Sequence, residues 1–167
     1  IREAYHLGMT RIFLPELDAA FETAQNNPHH CYTVGEHLMH CMLYTESDKS
    51  MRIAALLHDI GKPVTKTTDE QGIDHFHGHA GVGEEMAARI LRRLKFDNDT
   101  ITHVRKLVKY HDYPIETTPR AVRRAINTIG ETYFSDVLAI KKADMMAQST
   151  YQRQEKEDHL AQVEALY

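Results

Sequence analysis

The sequence predicts an all-α fold built as one domain. Three observations carry that reading. Apolar residues recur at helical spacing along nearly the whole chain, and no alternating run of strand type is longer than four residues. The third is size: 167 residues, 42% of them apolar, suffice for one well-filled core. No window approaches the ~18 consecutive apolar residues of a membrane-spanning helix, so no membrane contact is expected. The opening Ile1-Arg2-Glu3-Ala4-Tyr5 lacks the layout of a signal peptide, and Cys31 and Cys41 are too few for a disulfide framework. A reducing, cytoplasmic setting is therefore expected. A net charge of −4 argues against a protein that wraps duplex nucleic acid. Because the chain opens on Ile1 rather than Met, it is expected to be a single domain spanning 1–167 excised from, or processed out of, a larger protein.

The elements follow in order. A first helix is expected over about 10–26, with Ile12, Leu17, Phe21 and Ala24 inward, broken by Asn26-Asn27-Pro28. A second covers about 33–45 with Val34, Leu38, Cys41 and Met42 near one face. The third, about 49–60, is the apolar run Ile53-Ala54-Ala55-Leu56-Leu57, stopped by Gly61 and Pro63. Residues 63–78 read as a loop with a short hairpin around Gln71-Gly72. Helix four runs about 79–95 through Val82, Met86, Ile90 and Leu94, and helix five about 98–111 through Ile101, Val104, Leu107 and Val108. Thr118-Pro119 opens helix six as N-cap and first helical residue, and Gly130 ends it. Helix seven, about 131–149, precedes a charged helix through Leu160, Val163 and Leu166. The total is seven to eight helices.

Histidine is the unusual component: 12 in all, ten of them between His29 and His111. His58-Asp59 closes the most apolar helix, where a buried carboxylate needs a partner or a metal. Asp144 shares a face with Tyr133, Val137 and Ile140, so an acidic group points at the core. His37, among Val34, Leu38 and Cys41, and His111 also lie on apolar faces. A single such histidine is usually a hydrogen-bonded core residue. Four helices each aiming an imidazole or carboxylate inward form instead the ligand set of a transition metal.

The ordered set resembles the HD-domain superfamily of metal-dependent phosphohydrolases. The residues concerned are His37, Leu56-Leu57-His58-Asp59-Ile60-Gly61-Lys62-Pro63, His75-Phe76-His77-Gly78-His79 with Gly83, Leu107-Val108-Lys109-Tyr110-His111-Asp112, and Lys142-Ala143-Asp144 with Ala147-Gln148-Ser149. Together with Leu14-Pro15-Glu16-Leu17 and Gln25-Asn26-Asn27-Pro28-His29-His30, they look most like the HD region in the C-terminal half of bacterial tRNA nucleotidyltransferases, the CCA-adding enzymes and their poly(A) polymerase relatives.

The resemblance implies an HD-domain helical bundle and a binuclear centre of two divalent transition-metal ions (Fe, Mn, Zn, Ni or Co). His37, His58, Asp59 and Asp144 match the ligands of the first ion. His79 and His111 match those of the second, and Asp59 bridges; His77 competes with His79 for its place. His75 and His77 are candidates to face substrate. Lys62, expected on a loop outside the ligand set and dispensable for folding, is implied as a catalytic phosphate contact beside Asp59. Cys41 is expected in the core.

The implied activity is phosphomonoester or phosphodiester hydrolysis on nucleotides or RNA ends, 2′,3′-cyclic phosphates among them. The same residues also fit a dinucleoside polyphosphate hydrolase or nucleotidase, a di-iron oxygenase, or a tRNA-positioning module of a CCA-adding enzyme. For the last, Arg89/Arg92/Arg93/Lys95, Arg105/Lys106/Lys109 and Arg120/Arg123/Arg124 would have to converge on tRNA rather than serve as solvated helix faces. No Gly-Ser loop of a nucleotidyltransferase head occurs, so nucleotide addition by this chain is not expected.

Overall fold

Eleven helices and one two-stranded hairpin make up the computed structural model, which describes residues 1–167. They are α1 (Arg2–His6), α2 (Thr10–Phe13), α3 (Pro15–Glu22), α4 (Val34–Leu43), α5 (Lys49–Leu57), α6 (Lys62–Thr65), β1 (Thr67–Thr68), β2 (Asp74–His75), α7 (His79–Arg93), α8 (Asn98–Tyr110), α9 (Pro119–Ile129), α10 (Glu131–Ala147) and α11 (Arg153–Ala165). The eight helices expected from periodicity are present. The surplus comes from three places: α1, the one-turn α6, and a division of the first helix.

That division is a correction. Pro15 cannot continue a helix from residue 14, because it lacks an N–H and restricts the residue before it. Leu14 accordingly leaves the helical region (φ −145°, ψ 58°), and Pro15 begins α3 afresh. Ile12, five and nine residues from Leu17 and Phe21 and on the far side of the break, is 86% exposed; Ala24 lies past the end of α3 and is also on the surface, while Leu14, Leu17 and Phe21 are buried. Val82, expected along the inner face of its helix, is exposed too. Four helices start on side-chain caps: Thr33, Asp48, Asp97 and Thr118 accept from the backbone N–H three residues on.

Helix α10 is the spine. It packs on α4, α5, α8, α9 and α11, and α7 lies along α8 on the other side. The core between them is one cluster that includes Leu38, Cys41, Leu57, Ile60, Leu107, Phe134 and Ile140. No helix is long and apolar enough to cross a membrane.

The expected end of helix three is a second correction. Gly61 does not stop it in a left-handed conformation; its backbone is right-handed helical (φ −79°, ψ −16°) and it leads straight into α6. Its missing side chain serves an approach between backbones. A β-carbon there would collide with the carbonyl oxygen of His79 and stand 2.8 Å from the Gly83 nitrogen. Gly61 and Gly83 thus let the end of the His58-Asp59 segment sit directly on the first turns of α7.

The hairpin pairs Thr67 with His75 and Thr68 with Asp74, closing over Gly72 (φ +81°). Asp74 pins it to the segment before α4. Its carboxylate accepts from the Asn26 backbone N–H (2.8 Å) and the Thr68 hydroxyl (2.7 Å) and pairs with Lys66 Nζ (2.7 Å). The Lys66 ammonium and the Asn26 amide hold this carboxyl down at about 2. A depressed carboxyl stabilises the fold above its unfolded value, ~3.9, and the contribution disappears as pH falls toward 2. Asp74→Ala is therefore expected to cost about 1–3 kcal/mol at neutral pH. Urea unfolding of the variant and the native chain should differ at pH 7 and converge near pH 2. A difference that stays constant with pH would show that the ionised pair is not the source.

Candidate metal centre

Helix ends bring the site together. His58 and His111 are the C-cap residues of α5 and α8, His79 is the first residue of α7, His37 lies in α4, and Asp144 lies one turn before the end of α10. Three of these rings are oriented by the same device. Nδ1 of His58, His79 and His111 lies 2.9, 2.8 and 2.8 Å from the carbonyl oxygens of Ala55, Phe76 and Val108, each three residues earlier. A carbonyl only accepts, so each Nδ1 carries the proton. At the ends of α5 and α8 the bond also satisfies a carbonyl that the helix leaves without a partner. The Nε2 lone pairs are left pointing inward.

What they point at is a pair of carboxylates. His37 Nε2 is 2.9 Å from Asp144 Oδ1 and 3.5 Å from Asp59 Oδ2. His58 Nε2 is 3.3 Å from His37 Nε2 and 3.4 Å from Asp59 Oδ2. On the other side, His79 and His111 Nε2 lie 3.3 and 3.5 Å from Asp59 Oδ1 and 3.2 Å from each other. Two ligand clusters result: His37, His58, Asp59 and Asp144, and Asp59, His79 and His111, each with its donor atoms within 4.8 Å. Asp59 belongs to both. It is 2% exposed, yet its Oδ1 has no hydrogen-bond partner.

The donor chemistry fits divalent cations. Neutral Nε2 acceptors facing carboxylate oxygens at this range repel unless a cation stands between them. Bonds of about 2.0–2.2 Å to an ion place adjacent ligand atoms about 3–3.5 Å apart. The observed spacings are of that size. Without an ion, protons take part of the role. Burial disfavours a charged His58, but Asp59, Cys41 and Asp144 together outweigh it and raise the ring well above its ordinary value. Burial likewise acts against the Asp59 anion, and the Lys62 ammonium and His58 nevertheless hold its carboxyl well below the usual range.

Of the residues read from the sequence, the structure brings together His37, His58, Asp59, His79, His111 and Asp144. His77 is not among them: it is exposed, with its ring stacked parallel on that of His75 (centroids 5.6 Å apart). His75 Nε2 lies 2.8 Å from Asp69 Oδ2, and both rings line the cleft outside the cluster. Cys41 is buried in the core.

Lys62 is a correction. It stands not on a solvated loop but at the start of α6, 5% exposed. Its Nζ is 2.7 Å from Asp59 Oδ2, 2.8 Å from Gln25 Oε1 and 3.3 Å from His30 Nε2, which occupies all three protons. Gly61 carries no side chain and α6 buries the lysine stem, so periodicity alone could not place it. The expectation that Lys62 is dispensable for folding does not survive this burial.

Several contributors escaped sequence reasoning. Gln25 and His30 hold Lys62, and burial beside that ammonium pushes the His30 ring down to about 3, so it stays neutral. Gln148 donates from Nε2 to both oxygens of Asp144 (3.1 and 3.2 Å), and Lys156 Nζ donates to its Oε1 (2.8 Å). The spacing of Asp144 and Gln148, one helical turn, was the available signal. His30, Lys62, Asp144, Gln148 and Lys156 open onto a cleft of about 1110 Å³ that also exposes His75, Asp112 and Lys141. Elsewhere, Arg93 pairs with Glu16 (2.6 Å), and Arg105 and Lys109 with Glu84 (both 3.0 Å).

A helical bundle that gathers histidines and aspartates from five helix segments defines a domain able to hold divalent metal. Its family is shown by comparison: the HD domain model matches residues 29–163, and the chain belongs to that family. It is 34% identical over 146 residues to the A-adding tRNA nucleotidyltransferase of Deinococcus radiodurans, which covers 84% of this chain and 33% of that relative. It is 31% identical over 160 residues to the CC-adding tRNA nucleotidyltransferase of Thermus thermophilus, covering 92% and 36%. It is also 26% identical over 155 residues to the bifunctional uridylyltransferase/uridylyl-removing enzyme of Streptomyces coelicolor, covering 84% and 17%. The chain thus spans about a third of the length of the two tRNA nucleotidyltransferases.

Proposed function

We propose that this domain is a metal-dependent phosphohydrolase with a binuclear His/Asp centre, acting on phosphate esters of nucleotides or RNA ends, 2′,3′-cyclic phosphates included. One observation carries the reading: Asp59 presents its two oxygens to two different sets of imidazoles. The Streptomyces relative is named a bifunctional uridylyltransferase/uridylyl-removing enzyme, and the removal of a uridylyl group is in keeping with this reading.

Divalent ions held by these residues supply Lewis acidity toward phosphoryl oxygens and acidify water. The chain's own groups prepare the rest. The carbonyl bonds of Ala55, Phe76 and Val108 fix three imidazole lone pairs before anything binds, so little reorganisation is needed. Lys62 balances the buried Asp59 charge, so that this carboxylate does not repel an anionic substrate from the cleft. Lys141, which lines the cleft, adds a cation whose Nζ is fixed by the carbonyls of His111 and Tyr113 (both 2.9 Å).

The tRNA-positioning alternative draws support from the names of the two tRNA nucleotidyltransferases. It is weakened by the pairing of Arg93, Arg105 and Lys109 with glutamates, which leaves less free basic surface for phosphates.

Protein purified without chelator is expected to carry close to two transition-metal ions per chain. It should hydrolyse a 2′,3′-cyclic nucleotide after loading with Mn, Fe, Co, Ni or Zn. Elemental analysis showing no metal, with no activity after loading, would overturn the proposal. One ion per chain would reduce His79 and His111 to a weak second site.

A further inference from the structure

A second cavity, about 390 Å³, opens next to the metal cleft, and nothing in the proposed reaction uses it. That volume is within the ~300–1,000 Å³ range of small-molecule pockets. Its walls include Tyr32, His40, Tyr44 and Arg153, with no acidic side chain among them. Tyr32 and His40 stack nearly parallel, their centroids 4.2 Å apart. Tyr32 is 39% and Tyr44 51% exposed, although aromatic faces gain by burial.

Arg153 adds an independent sign. One of its terminal nitrogens donates to the carbonyls of Gln148 (2.8 Å) and Met146 (3.3 Å), so the side chain is fixed, while the other terminal nitrogen donates to no protein group. A guanidinium so fixed, with a terminal donor unused, in a wall free of carboxylates suits a base carbonyl or a phosphate oxygen.

The two cavities adjoin. Gln148 lines both, and its amide is the group that holds Asp144. Ser149, which lines the smaller cavity, bonds to the backbone of Pro28 and His29, which line the larger, and Tyr151 meets the His29 ring edge-on (5.1 Å). A single-stranded chain passing from one cavity to the other would find aromatic side chains in both.

We infer that the smaller cavity is a nucleobase subsite, holding the base next to the nucleotide whose phosphate ester is cleaved. This rests on the hydrolase reading and narrows its substrate class to single-stranded RNA ends of two or more nucleotides. Duplex partners do not fit, because the bases must be unstacked to lie on tyrosine rings.

The test uses a trinucleotide ending in a 2′,3′-cyclic phosphate against the corresponding mononucleotide, in the native chain and in Tyr32→Leu, Tyr44→Leu and Arg153→Met. Base–aromatic stacking is of a size to give roughly tenfold preference in kcat/KM for the trinucleotide. Each variant should erase most of that preference, and Tyr32→Leu and Tyr44→Leu should leave mononucleotide hydrolysis unchanged. A native chain with no trinucleotide preference would overturn the inference. A binding readout separates it from the reaction itself. A trinucleotide carrying 2-aminopurine should be quenched on binding to chelator-treated protein, and the tyrosine variants should lose the quench. If no substrate is hydrolysed but the quench behaves this way, the hydrolase reading fails and the subsite stands. Quenching that the variants leave intact would overturn the subsite.

Discussion

Replacing Asp59 with alanine is expected to lower hydrolysis by roughly 10³-fold, more than any other single ligand change. Charge stabilisation by bound ions is worth several kcal/mol, and each ~1.36 kcal/mol is tenfold in rate. Only Asp59 reaches both ligand sets, with Oδ2 toward His37 and His58 and Oδ1 toward His79 and His111. His79→Ala removes a ligand from one set and should cost less. Equal, mild losses for the two would show that Asp59 does not serve both. A second effect rides on the first. Asp59 is the only carboxylate paired with the buried Lys62 ammonium, and breaking a buried pair costs about 3–5 kcal/mol. Asp59→Ala is thus expected to lower Tm as well. Asp59→Ala with Lys62→Met should recover much of the stability and none of the metal content. Thermal unfolding and elemental analysis of the pair separate the structural loss from the chemical one.

Gly61→Ala should be nearly as damaging for a different reason. The new methyl group runs into backbone, at His79 O and Gly83 N, which cannot swing aside as a flexible side chain would. Forced separation of packed segments costs about 1–3 kcal/mol and occasionally more. For a chain of this length about 3 kcal/mol corresponds to roughly 6–12 °C of Tm. Moving α7 away from Gly61 also carries His79 out of reach of Asp59, so metal content should fall together with Tm. Gly81, two residues into the same helix, is the control. A β-carbon there meets nothing within 4 Å, and Gly81→Ala should be neutral or stabilising by about 0.5–1 kcal/mol. Similar losses at both positions would assign the damage to α7 in general and not to the contact at Gly61.

Periodicity and punctuation were enough to determine the helical class, the eight main helices and the hairpin after α6. Those signals are local: apolar spacing in α7 and α8, Thr118-Pro119 at the start of α9, Gly72 in the turn. Five of the six residues of the two ligand clusters were also readable one by one, because a polar group on an apolar helix face is conspicuous in sequence; His79 came only with the resemblance. Local signals failed where a distant segment set the environment. Ile12 was expected inward with Leu17 and Phe21, yet it stands five and nine residues from them, off the face they share, and Pro15 breaks the helix between, so it lies in solvent. His77 and His79 are equivalent on paper; only the bond from His79 to the Phe76 carbonyl and the approach of His111 distinguish them. Lys62 shows the limit most clearly. Its neighbours Gly61 and Pro63 read as a helix stop with a solvated lysine between them, whereas Gln25, His30 and Asp59, up to 37 residues away in sequence, enclose it. A buried ammonium is stable only where opposite charge and acceptors surround it, and which groups surround it is decided by packing, not by the sequence on either side.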